Sequence, residues 1–291
     1  MRALVFGETG QVARELGLTA SGRGIEATLL GRGAADLTDP DACVRRIAAS
    51  DADIVINAAA YTAVDRAEDE PDLAHSVNAT APGAMAVAAA AKGVPFLHVS
   101  TDYVFDGRPG RPWRETDATG PLGAYGASKL AGEVEVAGAT PDHVILRTAW
   151  VFSAHGNNFL KTMLKVGRGR PEMRVVGDQH GGPTAARDIA GALWTIAEAW
   201  TAGRGTPGIF HYAGTPPTSW AGFAEAIFAR SGWSERPKVT TIATADWPTK
   251  AVRPANSVLD CSAIAAAYGI SQPDWRPGLD AVIDALAGAD A

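Results

Sequence analysis

Three side chains that can move a proton or stabilise a growing negative charge follow one another in the middle of the sequence. Thr101 ends an apolar run, and Tyr125 and Lys129 stand in the segment Tyr-Gly-Ala-Ser-Lys. Residues four apart share one face of a helix, so the phenol and the ammonium should point into the same crevice. A nearby cation stabilises a phenolate, so we expect Lys129 to lower the pKa of Tyr125 and make it a usable acid near neutral pH. The Thr101 hydroxyl can donate to the same substrate oxygen as that oxygen gains charge.

A glycine-containing turn follows the first apolar run of the chain. It reads Gly7-Glu8-Thr9-Gly10-Gln11-Val12-Ala13, which is a G-x-x-G-x-x-A loop that opens a helix. Glycines let the backbone turn sharply and approach a pyrophosphate, and the free N–H groups of a helix start attract the same anion. Because the loop is the first strand-to-helix turn, it predicts dinucleotide binding.

The ends of the second and third apolar runs predict where the rest of a dinucleotide would lie. The second run ends at Leu30 and is followed by Arg32, Asp36 and Leu37. An arginine here suits a 2′-phosphate and favours NADPH over NADH, while Asp36 and Leu37 would contact the ribose or the adenine. A solvated surface arginine is the alternative interpretation. The third run is followed by small residues in 57–62, which leave a crevice at the end of a parallel strand.

Apolar runs alternate along the first half of the chain with stretches that predict helices, such as Asp41 to Ala49, Asp72 to Lys92 and Tyr125 to Ala137. Five β-type runs are present: Ala3 to Phe6, Ala27 to Leu30, Ile54 to Asn57, Phe96 to Ser100 and Val144 to Arg147. Strands that are apolar throughout and alternate with helices predict a parallel sheet covered on both faces. Right-handed crossovers make this a doubly wound α/β fold of the Rossmann type.

After Trp150 the pattern becomes irregular, with frequent Pro, Gly and Trp and short strands. This change predicts a smaller, irregular α+β lobe that is threaded back onto the first domain. We therefore predict a dinucleotide-binding domain at 1–150 with a returning segment at about 185–215, and a substrate-binding lobe at 151–184 and 216–291.

Composition and charge argue against other classes of protein. The 291 residues are 46% hydrophobic and carry a net charge of −6 without a stripe of Lys or Arg, so no nucleic-acid partner is expected. Cys43 and Cys261 lie far apart with no Cys or His at metal-ligand spacing, so neither a disulfide nor a zinc site is expected. The apolar runs are too short for a signal peptide or a membrane span, which favours a cytoplasmic protein.

In their order along the chain, these motifs resemble those of the dTDP-4-dehydrorhamnose reductases, a branch of the extended short-chain dehydrogenases/reductases. The resemblance runs from residue 1 to at least Asp260. The shared segments are Gly7 to Gln11, Asn57 to Asp65, Ser100 to Gly107, Tyr125 to Lys129, Asp178 to Thr184 and Arg253 to Asp260. The patterns Asp-Gln-x-Gly-x-Pro-Thr and Arg-Pro-x-x-Ser-x-Leu-Asp in the last two segments are characteristic of this branch. One departure is Ala13, where family members often have Gly.

The resemblance implies hydride transfer from NADPH or NADH to C4 of a dTDP-4-keto-6-deoxyhexose, typically giving dTDP-L-rhamnose. Tyr125 would be the proton donor, Lys129 would hold the nicotinamide ribose, and Thr101 would polarise the ketone. It also implies cofactor contacts at Gly7, Gly10, Gln11, Val12, Ala60, Tyr61 and Thr62. Substrate contacts are implied at Thr101, Asp102 and Trp150.

Two positions outside the first domain could meet the charge of a nucleotide-sugar diphosphate. The segment 156–161, which includes Asn158, offers amides and a helix start, and Arg253 offers a bidentate fork for phosphate oxygens. Alternatives stay open for two residues. Arg253 could stand in a surface turn with an ordinary ion pair, and Trp150 could be a packing anchor at the domain junction.

Several questions stay open at the level of sequence. The family implies a homodimer around Mg²⁺ in some members, but Glu15 is the only candidate ligand and no full set can be mapped. A 4-ketoreductase for another dTDP-deoxysugar keeps the chemistry and changes the sugar. A non-catalytic regulatory subunit that binds nucleotide is the alternative from another class, and intact Tyr125 and Lys129 argue against it.

Overall fold

The computed structural model describes residues 1–108 and 110–289 and contains a six-stranded sheet at its centre. The strands are β1 (Arg2–Phe6), β2 (Glu26–Leu30), β3 (Ile54–Asn57), β4 (Phe96–Thr101), β5 (His143–Thr148) and β10 (Gly208–His211). All neighbouring pairs are parallel, and the spatial order is β10-β5-β4-β3-β1-β2. The four inner strands are largely buried because both faces of the sheet are covered, whereas the edge strand β2 alternates exposed and partly buried residues.

Helices cover the two faces of the sheet. They are α1 (Gln11–Ala20), α2 (Pro40–Ala49), α3 (Val64–Ala67), α4 (Pro71–His75), α5 (Ala81–Lys92), α6 (Ala124–Ala139) and α8 (Ala186–Thr201). One core cluster joins the sheet to α1 and α8, and a second joins the opposite face to α2, α5 and α6. The doubly wound fold predicted from the sequence is confirmed.

The strand order fixes where a ligand groove can form. The chain proceeds from β1 to β2 on one side and returns to β3 on the other, so the direction of winding reverses between β1 and β3. In open α/β sheets such a switch point leaves a crevice outside the carboxyl ends of the strands. The glycine turn after β1 and the small residues after β3 both lie at this point.

A second group of elements packs around its own core. It consists of β6 (Val151–Phe152), α7 (Phe159–Gly167), β7 (Glu172–Val176), β8 (His180–Gly181), β9 (Thr184–Ala185), β11 (Thr218–Ser219), α9 (Trp220–Arg230), β12 (Lys238–Ile242), β13 (Asn256–Ser257), α10 (Ser262–Tyr268) and α11 (Trp275–Ala289). Aromatic side chains such as Phe152, Phe223 and Trp275 dominate this core. Helix α10 instead contributes Ile264 to the first core cluster.

The long helix expected from Asp72 to Lys92 is interrupted. It consists of α4, a π-helical turn at Ser76–Thr80 and α5. Helix α6 runs against this turn, and a Cβ on Gly132 of α6 would collide with the carbonyl of Asn78. The glycine therefore lets α6 approach closely enough to bring Tyr125 and Lys129 to the edge of the sheet. No helix in the described ranges combines the length and apolar character that crossing a membrane requires.

Candidate active site

A groove of about 740 Å³ lies along the carboxyl ends of the central strands. It has the size of sites that hold small molecules or cofactors. Most residues expected from the sequence line it: Gly7, Gly10, Gln11, Val12, Arg32, Asp36, Leu37, Ala60, Thr62, Thr101, Asp102, Tyr125, Lys129, Trp150 and Asn158. Two expected residues, Tyr61 and Arg253, do not line it.

The glycine turn forms one end of the groove. Gly7 has a φ of +118°, a conformation that L side chains rarely adopt, and a Cβ there would lie 3.0 Å from Cβ of Ala13. The alanine at position 13 is therefore accommodated because Gly7 has no side chain. Gly10 is the N-cap of α1 and no side chain in the described ranges caps it, so the first amides of this helix are available to an anion.

Charges of both signs lie at the end of the groove where the sequence predicts the adenosine of the cofactor. Arg32 is largely exposed, and its Nε lies 4.0 Å from the carboxylate of Asp36. The carboxylate of Glu8 packs against Gly31, where it would collide with any Cβ. Arg32 therefore faces the groove with two acidic side chains close by.

Thr101, Tyr125 and Lys129 meet at the carboxyl edge of β4. Thr101 is the last residue of β4, and the other two lie one turn apart on α6. Lys129 is buried, and its Nζ donates to the carbonyl of Val99 at 2.8 Å and lies 3.0 Å from Nε2 of His98. The common crevice predicted from the spacing is therefore present in the structure.

The expected lowering of the pKa of Tyr125 by Lys129 is wrong. Burial raises the pKa of Tyr125 above its usual value, while the Thr101 side chain lowers it only in part, and Asp102 raises it further. Nζ of Lys129 is hydrogen-bonded to Val99 and His98 instead of to the phenol. Tyr125 consequently keeps its proton throughout the neutral pH range.

Asp102 is a buried carboxylate at the wall of the groove. One of its oxygens accepts a hydrogen bond of 3.1 Å from Thr101, and Oδ2 has no partner within the described ranges. Burial raises the pKa of this carboxyl to about 6, although the hydroxyls of Ser257 and Thr101 act in the opposite direction. Oδ2 of Asp102 is therefore a buried acceptor to which no group in the described ranges donates.

The side chain of Tyr61 turns away from the groove, contrary to the expected cofactor contact. Its hydroxyl donates to Glu70 at 2.5 Å. Its backbone N–H and carbonyl are both held by the side chain of Asn78, which also donates to Ser128 of α6. Asn78 therefore fixes the segment after β3 to the neighbouring helix, as a buried polar brace.

Arg253 and Asn158, the two residues expected at the diphosphate, already have protein partners. Arg253 donates to Asp65 at 2.7 Å and lies 3.4 Å from the hydroxyl of Tyr103. Asn158 is the N-cap of α7, and its Nδ2 donates to Oε1 of Gln11 at 2.9 Å. Asn158 therefore joins the second group of elements to the glycine turn.

Trp150 is held in a fixed orientation beside the groove. Its φ is +50°, and its ring stacks on Trp220 with the ring centroids 3.5 Å apart. Gly181 lies so close to the same ring that a Cβ on it would be 2.6 Å from Cε2 of Trp150. The indole of Trp220 also donates to Gln179 at 3.1 Å. Trp150 is thus both a packing anchor and a groove-lining residue, and the stack with Trp220 was not anticipated from the sequence.

The acidic side chains that the structure describes do not form a metal-binding geometry. No group of three or more His, Cys, Asp or Glu side chains with that geometry occurs at 1–108 or 110–289. Glu15, the residue considered for Mg²⁺, lies 3.5 Å from Nε2 of His155. The question of a metal therefore stays a prediction from the family resemblance.

A doubly wound parallel sheet with a glycine turn at its switch point, and with a threonine, a tyrosine and a lysine at its carboxyl edge, defines the class of the short-chain dehydrogenases/reductases. A family model described as "RmlD substrate binding domain" matches residues 1–287. The chain belongs to this family.

Individual relatives match over nearly their whole length. A dTDP-4-dehydrorhamnose reductase of Burkholderia thailandensis is 45% identical over 288 residues, which cover 95% of this chain and 96% of the relative. A crystal structure of the reductase from Clostridium acetobutylicum has a TM-score of 0.92 at 36% identity and covers 99% of this chain and 100% of that one. The Bacillus anthracis reductase, solved in complex with NADP, has a TM-score of 0.90 at 31% identity, with 98% and 99% of the two chains covered.

Proposed function

We propose that this protein reduces the C4 ketone of a dTDP-4-keto-6-deoxyhexose with a nicotinamide cofactor, typically converting dTDP-4-dehydro-L-rhamnose to dTDP-L-rhamnose. The observation that carries the proposal is the meeting of Thr101, Tyr125 and Lys129 at the carboxyl edge of β4, inside a groove that begins at the glycine turn. The names of relatives at up to 45% identity agree with this chemistry.

The groove has the features that a dinucleotide needs. Gly7 and Gly10 allow the backbone to approach a pyrophosphate, and the uncapped N-terminus of α1 offers amide donors there. The small residues that follow β3, with Ala60 and Thr62 among them, leave space beside the sheet. When bound, a reduced nicotinamide supplies the hydride.

Tyr125 and Thr101 would act on the oxygen of the ketone. The phenol is protonated at neutral pH because burial raises its pKa, and a proton donor must be in that state. Thr101 would donate a second hydrogen bond, which strengthens as the oxygen gains negative charge. As C4 gains the hydride, the π bond of the ketone would break, its oxygen would take the phenolic proton, and Tyr125 would be left as a phenolate.

Lys129, Asp102 and Trp150 would position the two reactants. The ammonium form of Lys129 has three donors, of which Val99 and His98 would take two, so the third can bind a ribose hydroxyl. The free oxygen of Asp102 would accept from a sugar hydroxyl, and the ring of Trp150 would pack on the sugar. Arg253 would reach phosphate oxygens only by exchanging its ion pair with Asp65.

A coupled assay on purified protein tests this function. We expect NADPH absorbance to fall when dTDP-4-dehydro-L-rhamnose is added, and Tyr125→Phe to lower kcat by about 10²- to 10⁴-fold. Tyr268→Phe removes a tyrosine hydroxyl that bonds to Thr206, outside the groove, and should leave kcat unchanged. Absence of turnover, or full turnover by Tyr125→Phe, would contradict the proposal. NMR of the product distinguishes rhamnose from another deoxysugar.

For the cofactor we propose a preference for NADPH over NADH, based on Arg32. A hydrogen bond between its guanidinium and a charged phosphate is worth about 1.5 kcal/mol or more, which corresponds to about tenfold in affinity. Arg32→Ala should therefore raise the KM for NADPH about tenfold and leave the KM for NADH unchanged. Arg45→Ala removes an exposed arginine of α2 as a matched control. Equal KM values for NADPH in Arg32→Ala and the parent protein would refute this assignment.

We also propose the division into a cofactor domain (1–150, with about 185–215) and a substrate lobe (151–184 and 216–291). Pairing of β10 with β5 and packing of α8 on α1 support the returning segment. The last two residues of the lobe lie outside the described ranges. A homodimer, a role for Mg²⁺ and a cytoplasmic location stay predictions, which sedimentation, chelation and cell fractionation would test.

A further inference from the structure

A chain of hydrogen bonds connects Lys129 to the carboxyl end of β3. Nζ of Lys129 lies 3.0 Å from Nε2 of His98, and Nδ1 of His98 lies 3.1 Å from Nδ2 of Asn57. The other amide atom of Asn57, Oδ1, accepts from the backbone N–H of Ala59 at 3.1 Å. His98 and Asn57 have no exposed surface, so water does not replace any of these bonds.

Each atom along this chain of hydrogen bonds can be assigned as a donor or an acceptor. The N–H of Ala59 needs an acceptor, so the oxygen of Asn57 faces Ala59 and its NH₂ group faces Nδ1 of His98. A neutral imidazole has one donor and one acceptor nitrogen. Because Nδ1 accepts, Nε2 carries the ring proton and donates toward Nζ of Lys129. An ammonium has only donors, whereas a neutral amine has a lone pair that can accept this bond. This chain of hydrogen bonds therefore favours the neutral amine form of Lys129.

The ammonium form requires a second arrangement of the same side chains. Nε2 of His98 must then accept from Lys129, and the ring proton must sit on Nδ1. The amide of Asn57 must turn over so that its oxygen accepts from Nδ1, which leaves its NH₂ group facing the N–H of Ala59. A doubly protonated ring is not available, since burial and the charge of Lys129 both hold the pKa of His98 well below its usual value.

The charged groups around Lys129 do not supply a counter-ion. Glu133 lies one turn further along α6, but its carboxylate accepts from Arg147 of β5 at 2.6 and 2.9 Å and from Ser100 at 2.6 Å. In the described part of the chain no carboxylate lies within 4.0 Å of Nζ of Lys129. The remaining titratable groups nearby are Tyr125 on the same helix, His98 and Asp102. Burial lowers the pKa of Lys129 to about 8, although Glu133 raises it.

We propose that Asn57 and His98 are positioning residues that couple the proton on Lys129 to the tautomer of His98. In the ligand-free protein the neutral amine is favoured, with the ring proton of His98 on Nε2. When Lys129 takes up one proton, the ring proton of His98 changes to Nδ1 and the imidazole stays neutral. This inference concerns the free protein, so it does not depend on the sugar or on turnover.

Nuclear magnetic resonance of the full-length protein, labelled with ¹⁵N-histidine and ¹³C-lysine, tests the coupling. Lys129 is assigned by comparison with Lys129→Met, and His98 by comparison with His98→Phe. We expect Cε of Lys129 to titrate with a midpoint well below that of an exposed lysine, because burial lowers the pKa of Lys129 and the hydrogen bonds to His98 and Asn57 favour the neutral amine. At the same midpoint the two ring nitrogens of His98 should exchange their protonated and unprotonated shifts. A His98 tautomer that stays fixed through the Lys129 titration, or formation of an imidazolium, would overturn the proposal.

Asn57→Asp should stabilise the second arrangement, in which Lys129 is an ammonium and the ring proton of His98 is on Nδ1. A carboxylate can accept from both Ala59 N–H and Nδ1–H of His98, which leaves Nε2 as the acceptor for an ammonium. The midpoint of Lys129 should rise by about one pH unit or more, a tenfold change in proton affinity, with His98 protonated on Nδ1 at every pH.

A matched control separates this effect from charge alone. Asn78→Asp places a carboxylate at another buried amide, which contacts Ser128 of α6 and has no contact with His98. The tautomer exchange should persist in this variant. If the Lys129 midpoint rises in Asn57→Asp while His98 still exchanges tautomers, the shift is electrostatic and the proposal fails. If either variant does not fold, the titration of the parent protein decides. Failure of turnover would instead contradict the reductase function.

Discussion

Replacing Asp102 by asparagine should stabilise the protein while it weakens catalysis. The carboxylate is 3% exposed, and Oδ2 has no hydrogen-bond partner in the described ranges. Burial raises its pKa from 3.8 to about 6. A difference of about two pH units, at about 1.4 kcal/mol for each, makes the charged carboxylate cost the folded state about 3 kcal/mol at pH 7. An amide has no charge to desolvate, and its oxygen can still accept from Thr101.

The sign of the effect follows from the pKa of Asp102, which is higher in the folded than in the unfolded chain. Above pH 6 the folded protein carries the buried charge and the cost is complete. As the pH falls below 6 the folded protein binds the proton first, and the cost disappears near the unfolded pKa of 3.8. The gain from Asp102→Asn should therefore be about 3 kcal/mol at pH 7, about half of that at pH 5, and below about 1 kcal/mol at pH 4.

Urea unfolding at these three pH values measures the gain, provided that the slope m is the same for both proteins. Asp284→Asn changes an exposed carboxylate on α11 and should alter the unfolding free energy by less than about 0.5 kcal/mol. Steady-state kinetics should show a higher KM for the dTDP-sugar in Asp102→Asn, because the free acceptor is lost. Equal stability of the variant and the parent at pH 7, or a gain that does not shrink toward pH 4, would refute the argument.

Two further substitutions test how the groove is supported. Glu133→Gln leaves the buried guanidinium of Arg147 without its counter-charge, and should lower the unfolding free energy by about 3–5 kcal/mol in denaturant titrations. Glu135→Gln, on an exposed position of the same helix, is the control, and similar losses in the two variants would contradict this account. Gly181→Ala places a methyl group 2.6 Å from the ring of Trp150. It should raise the KM for the dTDP-sugar severalfold without changing the KM for the cofactor, and an unchanged KM for the sugar would show that the ring orientation is unimportant.

The sheet could be predicted from the sequence because its inner strands are largely apolar on both faces. Both ends of β3 (54–57) were predicted correctly. The other strands of the first half differ from their predicted ranges by one residue at one or both ends. The elements in the second half of the chain were harder to predict. Helix α7 is amphipathic, but it begins at a cap residue, Asn158, that was interpreted as a substrate contact. The interruption at Ser76–Thr80 was missed because its sequence is compatible with a regular helix, and the packing of α6 against it is a tertiary effect.

The candidate site shows the same limit. Spacing placed Tyr125 and Lys129 on one face of α6, and the structure confirms this. Spacing did not reveal what Lys129 bonds to, since its partner His98 lies on a different strand, 31 residues away in sequence. The expected fall in the pKa of Tyr125 was wrong because burial raises this pKa. Burial depends on the elements that pack around the side chain, which spacing in the sequence does not reveal.

The position of β10 at the edge of the central sheet has a consequence for how this chain is made. During synthesis β5 leaves the ribosome well before β10, and β6 to β9 with α7 and α8 are produced between them. Until β10 arrives, the outer side of β5 exposes unpaired amide and carbonyl groups, which can pair with another nascent chain. A fragment that ends near residue 150 would keep this open edge permanently, so it should aggregate where the longer chain folds.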